Sequence, residues 1–485
     1  MSLTAKTAKS IFYTGSTKLV QRGLGTVSML ILARLLTPED FGIVSICTLA
    51  VFLFNSLSDV GSKQYIVSTN VVNDDVLNTA WTINIIMKTI IWTFFMVSSP
   101  YIANFLEQPE ILNPLRFLSL ILLFSSLGNP GVWTLSRDLN YKPLFKMEVV
   151  SKIISFISVL LIAFYYQSYW AMLFGVVLSY LIPCILSHFI CSHRPRLILS
   201  NISEQVKYSQ WVIANSIIGY ARGEGDSVLV AKYFNLEMIG IYTMFKNLSN
   251  MPLTQLILPA TDPLLATFST SIRAGNFRTY QMNIVMLLLL SIVVPLATLM
   301  AYFNEEIVLL FLGEKWVEHA YIFSILVYIL IPTVIFKPLS VYMLADGGYK
   351  PIVYYQTFMT FITLATLYII IDGDLKQFSI DRVLISIGSV ILFSIYFQRK
   401  YKLFRLKDLV VFILPFIASS SSIFIVDLFD YSYLNWFLKL GAGCAIFSVF
   451  YCGVLFFLIF LTRDRYECSL FLSYSKHIKN LIFFK

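Results

Sequence analysis

Two stretches decide how this chain is read. The first is Arg22-Gly23-Leu24-Gly25, followed by Ala33-Arg34-Leu35-Leu36-Thr37-Pro38-Glu39-Asp40-Phe41-Gly42-Ile43. The second is Arg222-Gly223-Glu224-Gly225, followed by Ala231-Lys232-Tyr233-Phe234-Asn235-Leu236-Glu237-Met238-Ile239-Gly240-Ile241. Each sets an arginine among glycines inside an apolar segment, then closes that segment with an alanine, a basic residue and, further on, Glu-x-x-Gly-Ile. Ala33 matches Ala231, Glu39 matches Glu237 and Gly42 matches Gly240 at one constant offset, the mark of an internal duplication.

Composition gives the class. The 485 residues are 58% hydrophobic and only 13% charged, and runs of about 17–25 apolar residues recur from end to end, as membrane-spanning helices require. The expected fold is all-α and polytopic, with about fourteen transmembrane helices. They are placed near 10–34, 41–66, 79–104, 113–136, 146–166, 169–192, 206–231, 238–268, 280–302, 319–345, 349–371, 378–398, 408–429 and 433–462. A β-barrel is excluded, because its strands would read as about ten residues of alternating polarity. Six expected helices lie between the two copies, so the copies run in the same direction, a parallel repeat about the membrane normal. The expected organisation is a six-helix lobe at 1–200, a second at 201–400, and an added helix pair with a tail at 401–485. Between the expected spans 280–302 and 319–345, residues 304–316 are too short to span and read as an interfacial helix on the outer face. The N-terminus shows no cleavage pattern and is expected to remain.

The net charge of +9 invites a nucleic-acid reading, but its distribution argues for topology. With the N-terminus inside, most lysines and arginines fall in inner loops and tails, densest at Arg399, Lys400, Lys402, Arg405 and Lys407. The outer loops are acidic, with Glu305, Glu306, Glu314, Glu318, Asp372 and Asp374. Both termini are therefore expected in the cytoplasm of a cell membrane, with membrane lipids as partners and no nucleic acid. The six cysteines lack C-x-x-C spacing and the four histidines lack an acidic partner set, so no metal site is expected.

Walker, Rossmann, H-E-x-x-H and nucleophile-elbow patterns are absent, and no loop is long enough for a catalytic domain. The chain reads as a non-enzyme whose work is done among its helices. An ionisable group at mid-bilayer costs about 2.5–3.5 kcal/mol, so each one needs a cavity or a partner. Arg22 and Arg222 fall near the midplane of their spans and are candidate substrate ligands, with Lys88, Lys246 and Lys337 extending a cationic lining. Arginine suits a phosphate because its planar fork donates two parallel hydrogen bonds and keeps its proton. A packing role stands beside this reading, with Arg222 paired to Asp226 one turn on. Asp59 and Asp262, each expected a few residues before the inner end of the second helix of its half, are candidate coupling or gating residues, together with Glu224 and Asp226. No organic cofactor is expected, H+ or Na+ being the coupling ion these acids would serve. Lys63 and Lys439 read as snorkelling side chains. Pro252, Pro259, Pro263, Pro295, Pro332 and Pro338 are expected to bend their helices.

Ala33-Arg34-Leu35-Leu36-Thr37-Pro38-Glu39-Asp40-Phe41-Gly42 closely resembles the first outer loop of the Wzx-type bacterial polysaccharide-export flippases, and Asn250-Met251-Pro252-Leu253 is similar to a further stretch of that group. The topology resembles that of the multidrug/oligosaccharidyl-lipid/polysaccharide superfamily along the whole chain. The resemblance implies a lipid-linked oligosaccharide substrate of the undecaprenyl diphosphate type, moved from inner to outer leaflet by alternating access, with other polysaccharide assembly proteins as partners. It supplies no catalytic signature to carry over. A cation-coupled multidrug antiporter and a lipid II flippase of the same fold remain alternatives, as does a membrane-embedded glycan polymerase. An antiporter of organic cations would call for acidic and aromatic walls rather than arginine.

Overall fold

The computed structural model describes residues 3–200, 202–261, 263–277, 279–403, 409–429 and 434–462. Among the described residues all regular structure is helical. Ten stretches of the described residues are long and apolar enough to cross a membrane, and each overlaps an expected span. The chain is a multi-pass membrane protein. The expected spans outside those ten are informative. α1 (Leu3–Leu35) and α10 (Ile202–Tyr233) have 33 and 32 residues, ample length, but carry too many charges to face lipid all round. The segment from Leu236 is broken by its prolines, and a last apolar stretch, Val411–Asp427, is short.

The chain divides into two compact units, Met1–Thr243 and Met244–Lys485. In the first, α2 (Pro38–Leu57) begins as its sequence dictates. Thr37 accepts the Asp40 N–H at 3.3 Å while the Asp40 carboxylate accepts the Thr37 N–H at 3.0 Å, a reciprocal cap with Pro38 in the first turn. The span expected at 41–66 is interrupted, however. α2 stops at Leu57, and α3 (Ser62–Ser68) starts from Gly61, whose φ of 65° is left-handed. Next comes α4 (Asp74–Phe105). The span expected at 113–136 also breaks: α5 (Leu112–Leu118) and α6 (Leu120–Leu127) end at Gly128-Asn129-Pro130, and α7 (Gly131–Arg137) restarts beyond it. Proline cannot continue the preceding helix, and the Asn129 side chain accepts the Gly131 N–H at 2.9 Å. α8 (Tyr141–Tyr166) and α9 (Trp170–Ile190) complete this part. They pack with α1 through Leu32, Leu36, Val159, Ala163 and Met172, so closely that a Cβ on Gly175 would lie 2.1 Å from Val159 Cγ2. Small residues give helices this approach where lipid removes most of the hydrophobic drive between them.

α11 (Leu236–Pro252) runs from the first unit into the second. Directly after Pro252 the helix widens into a π turn, Leu253–Ile257, followed by α12 (Leu258–Thr261) and α13 (Leu264–Arg273). Pro252, Pro259 and Pro263 thus act as the expected breaks. α14 (Thr279–Tyr302) leads to the short α15 (Asn304–Phe311), a helix where the sequence places an interfacial one. Then follow α16 (Ala320–Leu326), α17 (Leu330–Ala345), α18 (Tyr349–Ile370), α19 (Leu375–Tyr401), α20 (Leu409–Asp427) and α21 (Trp436–Leu461). Phe268, Met282, Tyr342, Phe393 and Phe397 join α13, α14, α17 and α19 in one core. Phe303, Leu414, Phe447 and Tyr451 join the last helices in another. Lys439 is paired with the buried Glu306 rather than snorkelling alone.

Candidate functional site

The duplication is visible as contacts between equivalent residues. Ser45 Oγ and Thr243 Oγ1 are 2.7 Å apart and 198 residues apart in sequence. A Cβ on Gly42 would come 1.9 Å from the Leu236 carbonyl oxygen, and one on Gly240 would come 1.8 Å from that of Pro38. At the same offset Pro38 corresponds to Leu236 and Gly42 to Gly240, so the contact is reciprocal, as across a two-fold axis. The caps repeat as well: Asn235, the counterpart of Thr37, accepts the Met238 N–H at 2.9 Å.

This register changes the reading of the two arginines. α1 ends at Leu35 and α10 at Tyr233, equivalent positions, and both are continuous helices. Arg22 therefore falls at the register of Tyr220, and Arg222 at that of Leu24. Two residues are about 200° of helical rotation, so the arginines stand on nearly opposite faces of equivalent helices. Arg22 is half-buried and has no ion-pair or hydrogen-bond partner among the described residues. Arg222 is exposed, and neither it nor Glu224 stands free. Asp226 is buried; the Tyr242 hydroxyl donates to its Oδ2 at 3.1 Å and the Ser227 N–H to its Oδ1 at 2.8 Å.

α10 is stitched to the break that carries Asp59. Asp59 lies beyond the end of α2, in the non-helical turn, where its Oδ1 accepts the Gly61 N–H at 3.1 Å. Ser209 Oγ donates to the Val60 carbonyl at 2.7 Å, and Gln205 Nε2 donates to Ser62 Oγ at 3.1 Å. Val212 fills the space a side chain at Gly61 would need. Higher on α10, the Tyr220 hydroxyl donates to the Leu49 carbonyl at 2.7 Å. Lys88 is buried close by, its ammonium donating to Asn55 Oδ1 at 3.1 Å and Ser125 Oγ at 2.7 Å, which ties α4 to α2 and α6. The first unit thus holds Arg22, Asp59, Lys88, Arg222, Glu224 and Asp226. Lys246 and Lys337 belong to the second, both half-buried, on α11 and α17. Asp262 lies outside the described residues.

Several polar groups escape the sequence reading. Lys152 sits mid-way along α8, and Glu148, one turn earlier, accepts from Gln21 Nε2 at 2.8 Å. The same signal that singles out Arg22, a charge inside an apolar run, would have found both. The extended stretch 191–200 lies along α4: the Arg196 N–H and the His193 ring both meet Asn78 Oδ1 at 3.0 Å, and the Ile198 N–H donates to Thr82 Oγ1 at 3.1 Å. No single-residue pattern marks that strap.

What the first unit offers chemically is two arginines on the charged helices α1 and α10 and a hydrogen-bonded lysine on α4, with acids at a helix break and on α10. The profile of a family described as "Polysaccharide biosynthesis protein" matches residues 31–321. The "Lipopolysaccharide biosynthesis protein WzxC" of Escherichia coli (strain K12) is 22% identical over 391 residues, 77% of each chain. The "Succinoglycan biosynthesis transport protein ExoT" of Rhizobium meliloti (strain 1021) is 22% identical over 88% of each. Among solved structures, lipid II flippase MurJ in an inward closed conformation superposes with a TM-score of 0.71 at 14% identity, covering 91% of this chain and 98% of that one. An inward-facing multidrug resistance MATE family transporter gives a TM-score of 0.59 at 12% identity, covering 78% of this chain and 94% of that one.

Proposed function

The chain belongs to the polysaccharide biosynthesis protein family, and from that premise we propose that it is a flippase for lipid-linked oligosaccharide repeat units. The substrate is a glycan on an undecaprenyl diphosphate type carrier, turned from the inner to the outer leaflet of a bacterial cell membrane. Both termini face the cytoplasm in this reading, as the distribution of lysine and arginine supports. The chain works as a carrier rather than an enzyme, alongside other polysaccharide assembly proteins.

The observation that carries the reading is the pair of long charged helices, α1 and α10, in a member of this family whose described residues include ten apolar spans. Desolvating a diphosphate in a low-dielectric setting is unfavourable unless fixed positive charge replaces its water. Arg22 and Arg222 supply guanidinium forks of the geometry a phosphate accepts. Because they stand on opposite faces of equivalent helices, they act as two separate stations along the path rather than as a symmetric clamp. Lys246 and Lys337 are further substrate cations in the second unit, and Lys88 holds α4 against α2 near Asp59. Asp59, Asp262, Glu224 and Asp226 gate the cycle or take up the coupling ion, H+ or Na+. Arg222→Ala should abolish export of the repeat unit in cells at normal protein abundance, and Arg222→Lys should restore part of it. Normal export by an Arg22→Ala, Arg222→Ala double variant at normal abundance would refute the role given to these residues.

A further inference from the structure

α1, α2, α8 and α9 line an open pocket of about 250 Å³, and its lining combines three properties seldom found together within apolar spans. The first is an unpaired cation. Lys152 lies six residues, about 9 Å at ~1.5 Å per residue, inside the inner end of the span expected at 146–166. It is half-buried, and among the described residues its ammonium has neither a carboxylate nor a hydrogen-bond acceptor. Glu148, the nearest acid along α8, is occupied by Gln21. The second is an unpaired hydroxyl on the same helix: Ser155 is 4% exposed and its Oγ has no partner. The third is an apolar remainder, with Met29, Leu32, Phe41, Val44 and Met172 opposite these two. The ammonium faces α1 at Gly25, where a Cβ would come 3.8 Å from Lys152 Nζ.

An unmatched ammonium and an unmatched hydroxyl at this depth both carry a desolvation cost that a ligand would remove. The complementary ligand is a compact anion joined to hydrocarbon. A single phosphate with the first carbons of its chain fits the 250 Å³ of the pocket.

We propose that this pocket binds the phosphate end of a membrane lipid. Lys152 and Ser155 meet the phosphate oxygens, and the apolar wall takes the adjoining chain. The site lies one helical turn along α1 from Arg22 and rests on the flippase reading only in making a polyprenyl phosphate one source of the ligand. An anionic phospholipid is the other source, with the same chemistry.

The test is binding to the purified full chain in neutral phosphatidylcholine nanodiscs, with farnesyl phosphate, dihexanoyl phosphatidylglycerol, farnesol and inorganic phosphate as probes. A lipid phosphate should bind, and Lys152→Gln should weaken it at least about tenfold, the scale of one lost charge-assisted hydrogen bond. Lys152→Arg should stay within a few-fold of wild type, and Ser155→Phe, which keeps the charge but fills the space, should also abolish binding. Farnesyl phosphate tighter than the phosphatidylglycerol identifies the prenyl carrier, and the reverse identifies a phospholipid. Equal binding by wild type and Lys152→Gln, or inorganic phosphate as tight as farnesyl phosphate, would overturn the proposal. Export is read separately in cells, so a chain that binds farnesyl phosphate through Lys152 yet exports nothing would sink the flippase reading alone.

Discussion

Replacing Gly42 by alanine tests the contact on which the two repeats meet. The new methyl group would sit 1.9 Å from the Leu236 carbonyl oxygen, 2.7 Å from its carbonyl carbon and 3.2 Å from its Cα. All three are backbone atoms at the start of a helix, so no rotamer change relieves the clash. To reach even 3.0 Å, α2 and α11 would have to part by about 1 Å, which also separates Ser45 from Thr243, now 2.7 Å apart. Overpacking of a close-packed contact typically costs about 1–3 kcal/mol, and a backbone clash belongs at the upper end, near 3 kcal/mol. That corresponds to a fall of roughly 6 °C in the unfolding midpoint for a unit of this size. Gly240→Ala should behave alike, since its methyl would lie 1.8 Å from the Pro38 oxygen. The double variant should fall short of the sum, because one separation relieves both clashes. Gly23→Ala is the control: nothing lies within 4 Å of its would-be Cβ, and alanine in a helix interior is favoured over glycine by about 0.5–1 kcal/mol. The assay is a thermal midpoint of the purified chain in one detergent. An unchanged midpoint for Gly42→Ala, or a loss for Gly23→Ala as large, would refute the argument.

Other contacts make sharper local claims. Arg137 donates from Nη1 to the Ile66 carbonyl at 2.7 Å and also to that of Thr69, and from Nη2 to that of Asn70 at 3.0 Å. Arg137→Ala should cost about 2 kcal/mol and open 66–73 to protease, with lysine restoring little because the fork is lost. Asn78→Ala removes the acceptor shared by Arg196 and His193, so cleavage within 191–200 should quicken while the rest of the digest is unchanged. Lys439→Met strands the Glu306 carboxylate, which is 8% exposed, and should lower stability by about 3 kcal/mol. Lys439→Arg should hold, as read by the same thermal midpoint.

Much of the fold was legible because length and hydropathy suffice for a membrane span. The Thr37-Pro38-Glu39-Asp40 start was legible too, since capping is written in adjacent residues. The breaks were less so. A run such as Leu57-Ser58-Asp59-Val60-Gly61 stays apolar enough to pass as helix, and what makes it a turn is tertiary: α10 donates to Val60 and Ser62 and packs Val212 on Gly61. Asp59 moved from a helix face to that turn for this reason. The arginine pair misled differently. Arg22 and Arg222 look equivalent by their glycine neighbours, but the residues that touch across the repeat, Ser45 and Thr243, set an offset of 198 that separates them. Lys152 was visible as a charge in an apolar span, yet its meaning depends on Ser155 and on a pocket lined by four helices, which no linear pattern reveals.

The central claim is that this chain moves lipid-linked repeat units across the membrane. The most direct measurement is the leaflet distribution of those units in cells depleted of the protein, read by an impermeant enzyme that removes glycan only from the outer face. The account predicts intact repeat units accumulating out of the enzyme's reach, with access restored by the wild-type chain and not by Arg222→Ala at equal abundance. Repeat units equally accessible with and without the protein would contradict it.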